Sequence, residues 1–260
     1  MTSKETRNSG NHGEMLEGLK RPWLNLTYNE ADGSFPRDLL ADFLDTPLSL
    51  ETVKPHLSLM VKPRNNDTSV IKRPLLNLDL VVCFKVKKGF QAGVFGVLPE
   101  LAHCFNESED TFFQLAYENT KETFKICSMS SALMGFSDTD ESDISPAEDD
   151  LMYVCTTKDK LNGAVALNYP EVFKSFCEEK HLPGIYIIPS SIHELILLPT
   201  FAFNPEELAQ MVLSVNETVL EPDIRLDPVV YEYRPRTNQV TIAAMAKESP
   251  STIARQFIAF

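Results

Sequence analysis

The sequence is poor in glycine, and its 10 glycines in 260 residues form no phosphate-binding loop. Neither G-x-G-x-x-G nor G-x-x-x-x-G-K occurs, so the glycine-rich loops that hold nucleotide phosphates are absent. The chain also has no apolar run of the roughly 18–20 residues that a transmembrane helix needs. Its polar N-terminus lacks the apolar core of a secretory signal. We therefore expect a cytoplasmic protein without a membrane segment.

Disulfide frameworks and paired-cysteine metal sites are missing as well. The five cysteines are odd in number, widely separated and contain no C-x-x-C pair; they are Cys83, Cys104, Cys127, Cys155 and Cys177. In a reducing compartment such residues behave as small hydrophobic side chains. We expect neither a disulfide, nor a metal, nor a cofactor.

Negative charge dominates the chain, with a formal net charge of −13. Its distribution is uneven. Between residues 54 and 88, eight basic residues against two acids give +6, and between 100 and 150, thirteen acids against two lysines give −11. Because the overall field repels phosphate, this balance argues against a nucleic-acid-binding protein. An acidic mimic of nucleic acid stays open as an alternative.

An acidic segment divides the chain. Residues 137–150 are nearly free of apolar side chains, which is typical of a linker, and they lack the glycine and final glutamate of a calcium-binding EF-hand loop. We predict five regions: a disordered or extended segment over 1–33, an N-terminal lobe over 34–136, an acidic linker over 137–150, a C-terminal lobe over 151–248 and a tail over 249–260.

Strand and helix patterns alternate in both lobes. Apolar periodicity predicts strands over 56–61, 76–84, 90–98, 151–156, 185–199, 229–233 and 240–244. Helices are predicted from Ser34, and over 108–123, 170–181 and 205–215. In the last helix, Leu208, Met211, Val212 and Val215 form the apolar stripe, and Asn204 is the N-cap. Short turns between strands and single interspersed helices favour an α+β fold with mainly antiparallel sheets, in two lobes joined by the acidic linker.

The segment Ile185–Pro199 contains the most unusual group of polar residues. Two apolar runs flank Pro-Ser-Ser, and His193 and Glu194 follow in apolar surroundings where ionisable groups are costly unless paired or used. The candidate functional residues here are Ser190, Ser191, His193 and Glu194. They predict either a strand–turn–strand or a small-molecule or hydrolytic site.

Known catalytic motifs fit this segment poorly. Ser191 and His193 are two residues apart, which on a strand is too far for a hydrogen bond between hydroxyl and imidazole. The G-x-S-x-G elbow is missing, and Leu197 stands where H-E-x-x-H requires the second histidine. A zinc site assembled with His103 and Cys104 stays open.

Asp79 and Asn77 are the remaining candidates. Both lie on the polar face of an otherwise apolar strand, where a carboxylate needs a partner. Arg64 or Arg73 could reach Asp79. The pair therefore indicates either a structural polar network or part of a binding site.

Several strings together resemble a known family. They are Met152–Val154, Lys160–Val172 with its Leu-Asn-Gly-Ala core, and Ile188–Glu194 with Pro-Ser-Ser-Ile-His-Glu. Leu78–Leu80, Leu115–Thr120, Met211, Val215, Asn216, Tyr231 and Tyr233 extend the match over about residues 35–245. The chain resembles a bacterial family, found mostly in gut Gram-positives, known only as a domain of unknown function. The resemblance implies a shared fold, no assigned activity, and an accessory role on a mobile element.

The absence of a complete catalytic constellation, together with the charge asymmetry, favours a soluble protein that is not an enzyme. We expect it to act by binding another protein rather than nucleic acid or a membrane. The small-molecule or hydrolytic site around His193 and Glu194 is the alternative.

Overall fold

The computed structural model describes residues 49–66, 68–88, 91–133, 151–218 and 220–246. The predicted segment 1–33, the helix predicted from Ser34, the acidic linker 137–150 and the tail 249–260 lie outside these ranges.

Ten strands and six α-helices are present in the described residues. The strands are β1 Leu57–Pro63, β2 Lys72–Leu75, β3 Leu78–Lys88, β4 Gln91–Gly96, β5 Phe124–Ser128, β6 Tyr153–Thr157, β7 Ile185–Ser191, β8 Glu194–Pro199, β9 Val229–Arg234 and β10 Gln239–Met245. The helices are α1 Leu50–Val53, α2 Pro99–Cys104, α3 Glu109–Lys121, α4 Met129–Leu133, α5 Pro170–Glu179 and α6 Pro205–Thr218. Short 3-10 helices cover Lys54–His56, Gly163–Asn168 and Pro222–Ile224.

The strands form two sheets. The first contains β1, β3 and β2 in that order, with β4 also paired to β3, and the second runs β10-β9-β7-β8-β6-β5. Every neighbouring pair in the second sheet is antiparallel, and so is the β3–β4 pair. The predicted α+β fold with mainly antiparallel sheets is confirmed.

The chain divides into two compact units. Of the described residues, the first takes 49–59, 66, 68–73, 81–88 and 91–120, and the second takes 60–65, 74–80, 121–133, 151–218 and 220–246. Residues 124–128, which fall within the predicted N-terminal lobe but were not predicted as a strand, form β5 and pair with β6 in the second sheet. The predicted boundaries at 137–150 stay a prediction, because those residues are not described.

In the first unit, helix α3 is bonded to the start of β1. The helix buries Phe112, Phe113 and Ala116. At its C-terminal end, the Thr120 hydroxyl accepts a hydrogen bond from the amide of Leu59 at 3.0 Å. That bond ties the C-terminal end of the helix to the start of the strand.

In the second unit, helices cover both faces of the six-stranded sheet. Helix α6 packs on one face. The buried core between this helix and the sheet consists of Ile188, Leu198, Leu208, Ala209, Val212, Val230 and Ala244. Tyr231 and Tyr233 point to the opposite face, because side chains alternate along β9. There Phe173 of α5 contacts Tyr233, with ring centroids 5.8 Å apart.

The five cysteines all lie in the described part of the chain, and they form no disulfide with one another. Burial raises the pKa of the Cys155 thiol to about 12 and that of Cys177 to about 11. Both thiols are therefore neutral at physiological pH and act as core side chains.

Candidate functional site

The segment Ile185–Pro199 folds as two antiparallel strands joined by a tight, bulged turn. Strands β7 and β8 pair along their length, and the register shifts between Pro189 and Ser191. The strand–turn–strand prediction is confirmed. We call Ser190–Glu194 the 190–194 turn.

The two serine hydroxyls bond within the 190–194 turn. Ser190 Oγ donates to Glu194 Oε1 at 3.0 Å. Ser191 Oγ accepts from the backbone amide of His193 at 3.0 Å. A serine that accepts from an amide two residues later stabilises its own turn. Neither hydroxyl is bonded here to the imidazole, which a serine nucleophile would require.

Backbone bonds hold the 190–194 turn from two sides. The amides of Gly163 and Ala164 donate to the carbonyls of His193 and Ile192, at 2.9 and 3.2 Å. On the other side, the amide of Ile192 donates to the carbonyl of Ile224 at 2.9 Å. The turn is therefore a half-buried junction of three chain segments rather than an open loop.

The His193 ring takes part in the same junction. The backbone amide of Asn162 donates to His193 Nδ1 at 3.2 Å. A neutral imidazole that accepts at Nδ1 carries its proton on Nε2, so it has no lone pair left to take a proton from a serine. In this arrangement the ring orients the chain at Asn162 and is not placed to act as a general base.

We expect His193→Ala to lower the free energy of unfolding by about 2 kcal/mol, since it leaves the buried Asn162 amide without its acceptor. Ser190→Ala is the matched control. It removes a half-buried hydroxyl whose partner, the Glu194 carboxylate, retains access to water, so a loss of under about 1 kcal/mol is expected. Urea denaturation followed by circular dichroism measures both, and equal midpoints for His193→Ala and wild type contradict this role.

Asp79 lies in the first half of β3 and is almost fully buried. Its Oδ2 accepts from the amide of Asn65 at 3.2 Å, and Arg64 Nε lies 3.8 Å from its Oδ1. Arg64 Nη2 also donates to the carbonyl of Leu76 at 2.7 Å. Leu76 has a φ of 54°, a left-handed conformation that is strained for leucine. Arg64 therefore joins the carboxylate to the strained turn that precedes β3.

Arg73, the other arginine predicted to reach Asp79, has different partners. It pairs with Asp110, and its guanidinium carbon lies 4.0 Å from the centroid of the Phe113 ring. Arg64 alone of these two arginines is paired with Asp79.

Asn77 occupies the turn between β2 and β3 and bonds to the second sheet of the same unit. The Tyr231 hydroxyl donates to Asn77 Oδ1 at 2.7 Å, and Asn77 Nδ2 donates to Asp227 Oδ2 at 2.9 Å. Tyr231 is fully buried, and burial raises the pKa of its phenol above the ordinary value. The phenol is therefore a neutral hydrogen-bond donor, and the amide links it to a carboxylate.

The six predicted site residues are thus bonded mainly to structural partners. Ser190 binds Glu194, and Ser191 binds the amide of His193. The partners Asn162, Tyr231 and Asp227 were not foreseen as site residues. For Tyr231 a signal existed, because the alternation in β9 puts it on a buried face, where a phenol needs a partner.

The described residues contain neither a candidate metal site nor a candidate membrane-spanning helix. Within them, no three His, Cys, Asp or Glu side chains are grouped so that they could hold a metal ion. None of the helices in the described ranges has the length and hydropathy to cross a bilayer.

The outer side of α6 differs from the sequence prediction. Of the four apolar residues predicted on this helix, Met211 and Val215 are 61% and 43% exposed, so the apolar residues do not all share the buried face. The buried face consists of Leu208, Ala209, Val212 and Asn216. Asn216 is turned inward because its Nδ2 donates to the carbonyl of Leu226 at 2.8 Å. With Leu208, Ala209 and Val212 packed in the core on the same face, Met211 and Val215 lie in solvent.

We call the exposed residues Glu207, Gln210, Met211, Ser214 and Val215 the α6 outer surface. The helix carries Glu206, Glu207 and Glu217 and no lysine, arginine or histidine. Asn204 caps it, accepting from the Glu207 amide at 3.0 Å, as predicted. Met211 and Val215, one turn apart, therefore lie on a helix whose charged residues are all acidic.

A family model covers most of the chain. The model of a family of unknown function (DUF5688) matches residues 43–235, which is more than half of the chain. The resemblance to a family of unknown function is confirmed, while its bacterial distribution and its Pro-Ser-Ser-Ile-His-Glu signature stay predictions. Neither the curated proteins nor the solved structures in the comparison include a match.

Proposed function

Because the chain belongs to this family of unknown function, we propose a role from its own geometry: it is a non-enzymatic protein that binds another protein through the α6 outer surface. The observation that carries the proposal is the exposure of Met211 and Val215 on a well-packed helix. The partner segment is a basic amphipathic helix.

The apolar part of the surface favours a protein ligand. Met211 and Val215 are four residues apart, so they lie next to each other on one side of α6. Adjacent exposed apolar side chains rimmed by polar residues are typical of interaction sites. The methionine side chain is flexible and adapts to different partners. An exposed apolar pair on a helix suits a partner helix that carries apolar residues at i and i+4.

The charge on α6 favours a cationic partner. Glu206 and Glu207 begin the helix and Glu217 lies in its last turn, with no basic residue between them. The whole chain carries −13, which repels acidic proteins and steers basic ones towards it. Lysine or arginine on the partner would pair with these carboxylates at the rim of the contact.

The geometry of the 190–194 turn favours binding over catalysis. Its serines and its histidine are occupied in holding the turn, with Asn162 bonded to His193 Nδ1. A Ser–His hydrolytic site would need the imidazole within hydrogen-bond distance of a serine hydroxyl, whereas Ser190 is bonded to Glu194 and Ser191 to the amide of His193. The residues that most suggested an enzyme are therefore better explained by the fold.

The proposal is tested by selecting ligands from a displayed library of random 16-residue peptides on the purified full chain. We expect enriched peptides with apolar residues at helical spacing and an excess of lysine and arginine. Replacing both Met211 and Val215 by serine should weaken binding of a selected peptide by about ten- to a hundredfold, as expected for loss of two central apolar contacts.

Leu133→Ser is the matched control, because Leu133 is 81% exposed on α4, outside the α6 outer surface. Its affinity for the peptide should equal that of the wild type. Selected peptides that are acidic, or that bind the serine double variant as tightly as the wild type, contradict the proposal. Melting curves of the variants confirm that only the surface has changed.

A further inference from the structure

Met211 carries an exposed thioether in the middle of the α6 outer surface. Of the methionines that the structure describes, it has the largest exposed fraction, 61%, compared with 55% for Met245 and 3% for Met60. Oxidation of a methionine to the sulfoxide converts a flexible apolar side chain into a polar one, which disrupts interfaces that contain it. An oxidisable atom is therefore present at the centre of the surface that binds the proposed partner.

The two side chains one turn away from Met211 favour its apolar form in a complex. Glu207 lies four residues before it and Val215 four residues after it, so both are its neighbours on the helix surface. A sulfoxide oxygen carries partial negative charge and accepts hydrogen bonds, and neither a carboxylate nor an isopropyl group donates one. Burying that oxygen against an apolar partner side chain removes its hydration, which weakens the complex.

The charge of the protein favours an uncharged oxidant. The chain carries −13, and the charged residues of α6 are all acidic. This field repels anionic oxidants such as hypochlorite and superoxide. Hydrogen peroxide is uncharged at neutral pH, so the field does not keep it from the thioether.

We infer that Met211 is a reversible oxidation site that controls binding at the α6 outer surface, and this inference rests on the proposed function. A lone pair of Met211 Sδ attacks one oxygen of hydrogen peroxide, the O–O bond breaks, and the other oxygen leaves as water after a proton shift. The sulfur is oxidised to the sulfoxide. In the reverse step, two thiols of a methionine sulfoxide reductase become a disulfide and the oxygen leaves as water.

Thiols are the other groups that peroxide oxidises, and the structure separates them from this site. Burial raises the pKa of Cys155 to about 12 and that of Cys177 to about 11, so both are protonated and react slowly. Cys104 is exposed and Cys127 is half-buried. Their first oxidation products are reduced by an added thiol, whereas the sulfoxide needs its reductase, so dithiothreitol distinguishes the two reactions.

The test measures binding of one selected basic peptide to the full chain before and after treatment of the protein with hydrogen peroxide. Catalase removes the peroxide and dithiothreitol reduces the cysteines before the peptide is added. We expect the dissociation constant to rise about tenfold, as for loss of a central apolar contact, and to return after incubation with a methionine sulfoxide reductase. Mass spectrometry of the digested protein should find the added oxygen on Met211 well before Met60.

Two leucine variants provide the controls. Met211→Leu keeps seven of the eight methionines, so its dissociation constant, whatever its starting value, should be the same before and after peroxide. Met245 follows Ala244, whose side chain faces α6, and therefore points to the opposite face of the sheet. Met245→Leu should respond to peroxide like the wild type.

The outcomes for the oxidation site and for the proposed function are read from different samples. Wild-type affinity that survives complete oxidation of Met211, an equal loss in Met211→Leu, or a Met211 that resists peroxide as Met60 does overturns the inference alone. Absence of any peptide that binds the untreated chain overturns the proposed function and the inference with it.

Discussion

Gly163→Ala is expected to lower the free energy of unfolding by at least about 3 kcal/mol, as expected for severe overpacking of a core. An alanine Cβ at this position would lie 2.3 Å from the carbonyl oxygen of His193 and 2.6 Å from the Cα of Thr156. Both are backbone atoms of neighbouring strands or their turn, so no side-chain rotation can relieve the clash. The Gly163 amide would also lose its bond to His193.

Denaturant unfolding of the purified variant measures this loss, and Gly184→Ala is the matched control. The Cβ in that variant would lie 3.0 Å from the carbonyl oxygen of Tyr233 and 3.5 Å from the Thr200 side chain, so a small shift accommodates it. We expect the control to lose about 1 kcal/mol. Gly163→Ala with wild-type stability would mean that the junction around the 190–194 turn is not closely packed.

Asn77→Ala is expected to cost about 2–3 kcal/mol, the second-largest effect. The substitution leaves the buried Tyr231 hydroxyl without its acceptor and Asp227 without the amide donor at 2.9 Å. An unsatisfied buried polar group costs about 1–3 kcal/mol, and two groups are affected here. The high pKa of the Tyr231 phenol prevents relief by ionisation at neutral pH.

A double-mutant cycle with Tyr231→Phe measures the coupling. Since the phenylalanine ring brings no hydroxyl, Asn77→Ala should cost about 1 kcal/mol less in the Tyr231→Phe background than in the wild type. Additive effects would show that the 2.7 Å bond between hydroxyl and amide contributes little. Unfolding of all four proteins under the same buffer conditions provides the comparison.

Elements whose partners are near in sequence were predictable. The hairpin β9–β10 and the pair β7–β8 follow from alternating apolar residues with a short polar break, and both form as expected. Helix α6 was predicted in place, but its rotation was not. Hydropathy alone favours burying Met211 and Val215 and exposing Asn216, whereas Asn216 is buried, with a bond to the Leu226 carbonyl, and the two apolar residues are exposed.

The same limit applies to the candidate site. The order Ser-Ser-Ile-His-Glu indicated a turn, and the bonds from Ser190 to Glu194 and from His193 to Ser191 are local. The partner of the imidazole, Asn162, lies 31 positions away, and the partner of Asn77, Tyr231, lies 154 positions away. Spacing along the chain carries no information on such contacts, because they depend on how the sheets assemble.

These contacts change the meaning of the polar residues that stand out in the sequence. His193 and Asn77 each satisfy buried groups at a junction of the second unit, and Arg64 joins Asp79 to the turn at Leu76. The exposed apolar side chains Met211 and Val215 carry the proposed function instead. The proposed binding role therefore depends on α6 and not on the 190–194 turn.

The most direct test of this account is one titration series, in which a selected basic peptide is added to two variants and heat is measured. Glu194→Gln alters the 190–194 turn, and the Met211→Ser, Val215→Ser double variant alters the α6 outer surface. The account predicts unchanged affinity for Glu194→Gln and a loss of about ten- to a hundredfold for the double variant. Loss of binding in Glu194→Gln with full affinity in the double variant would contradict it.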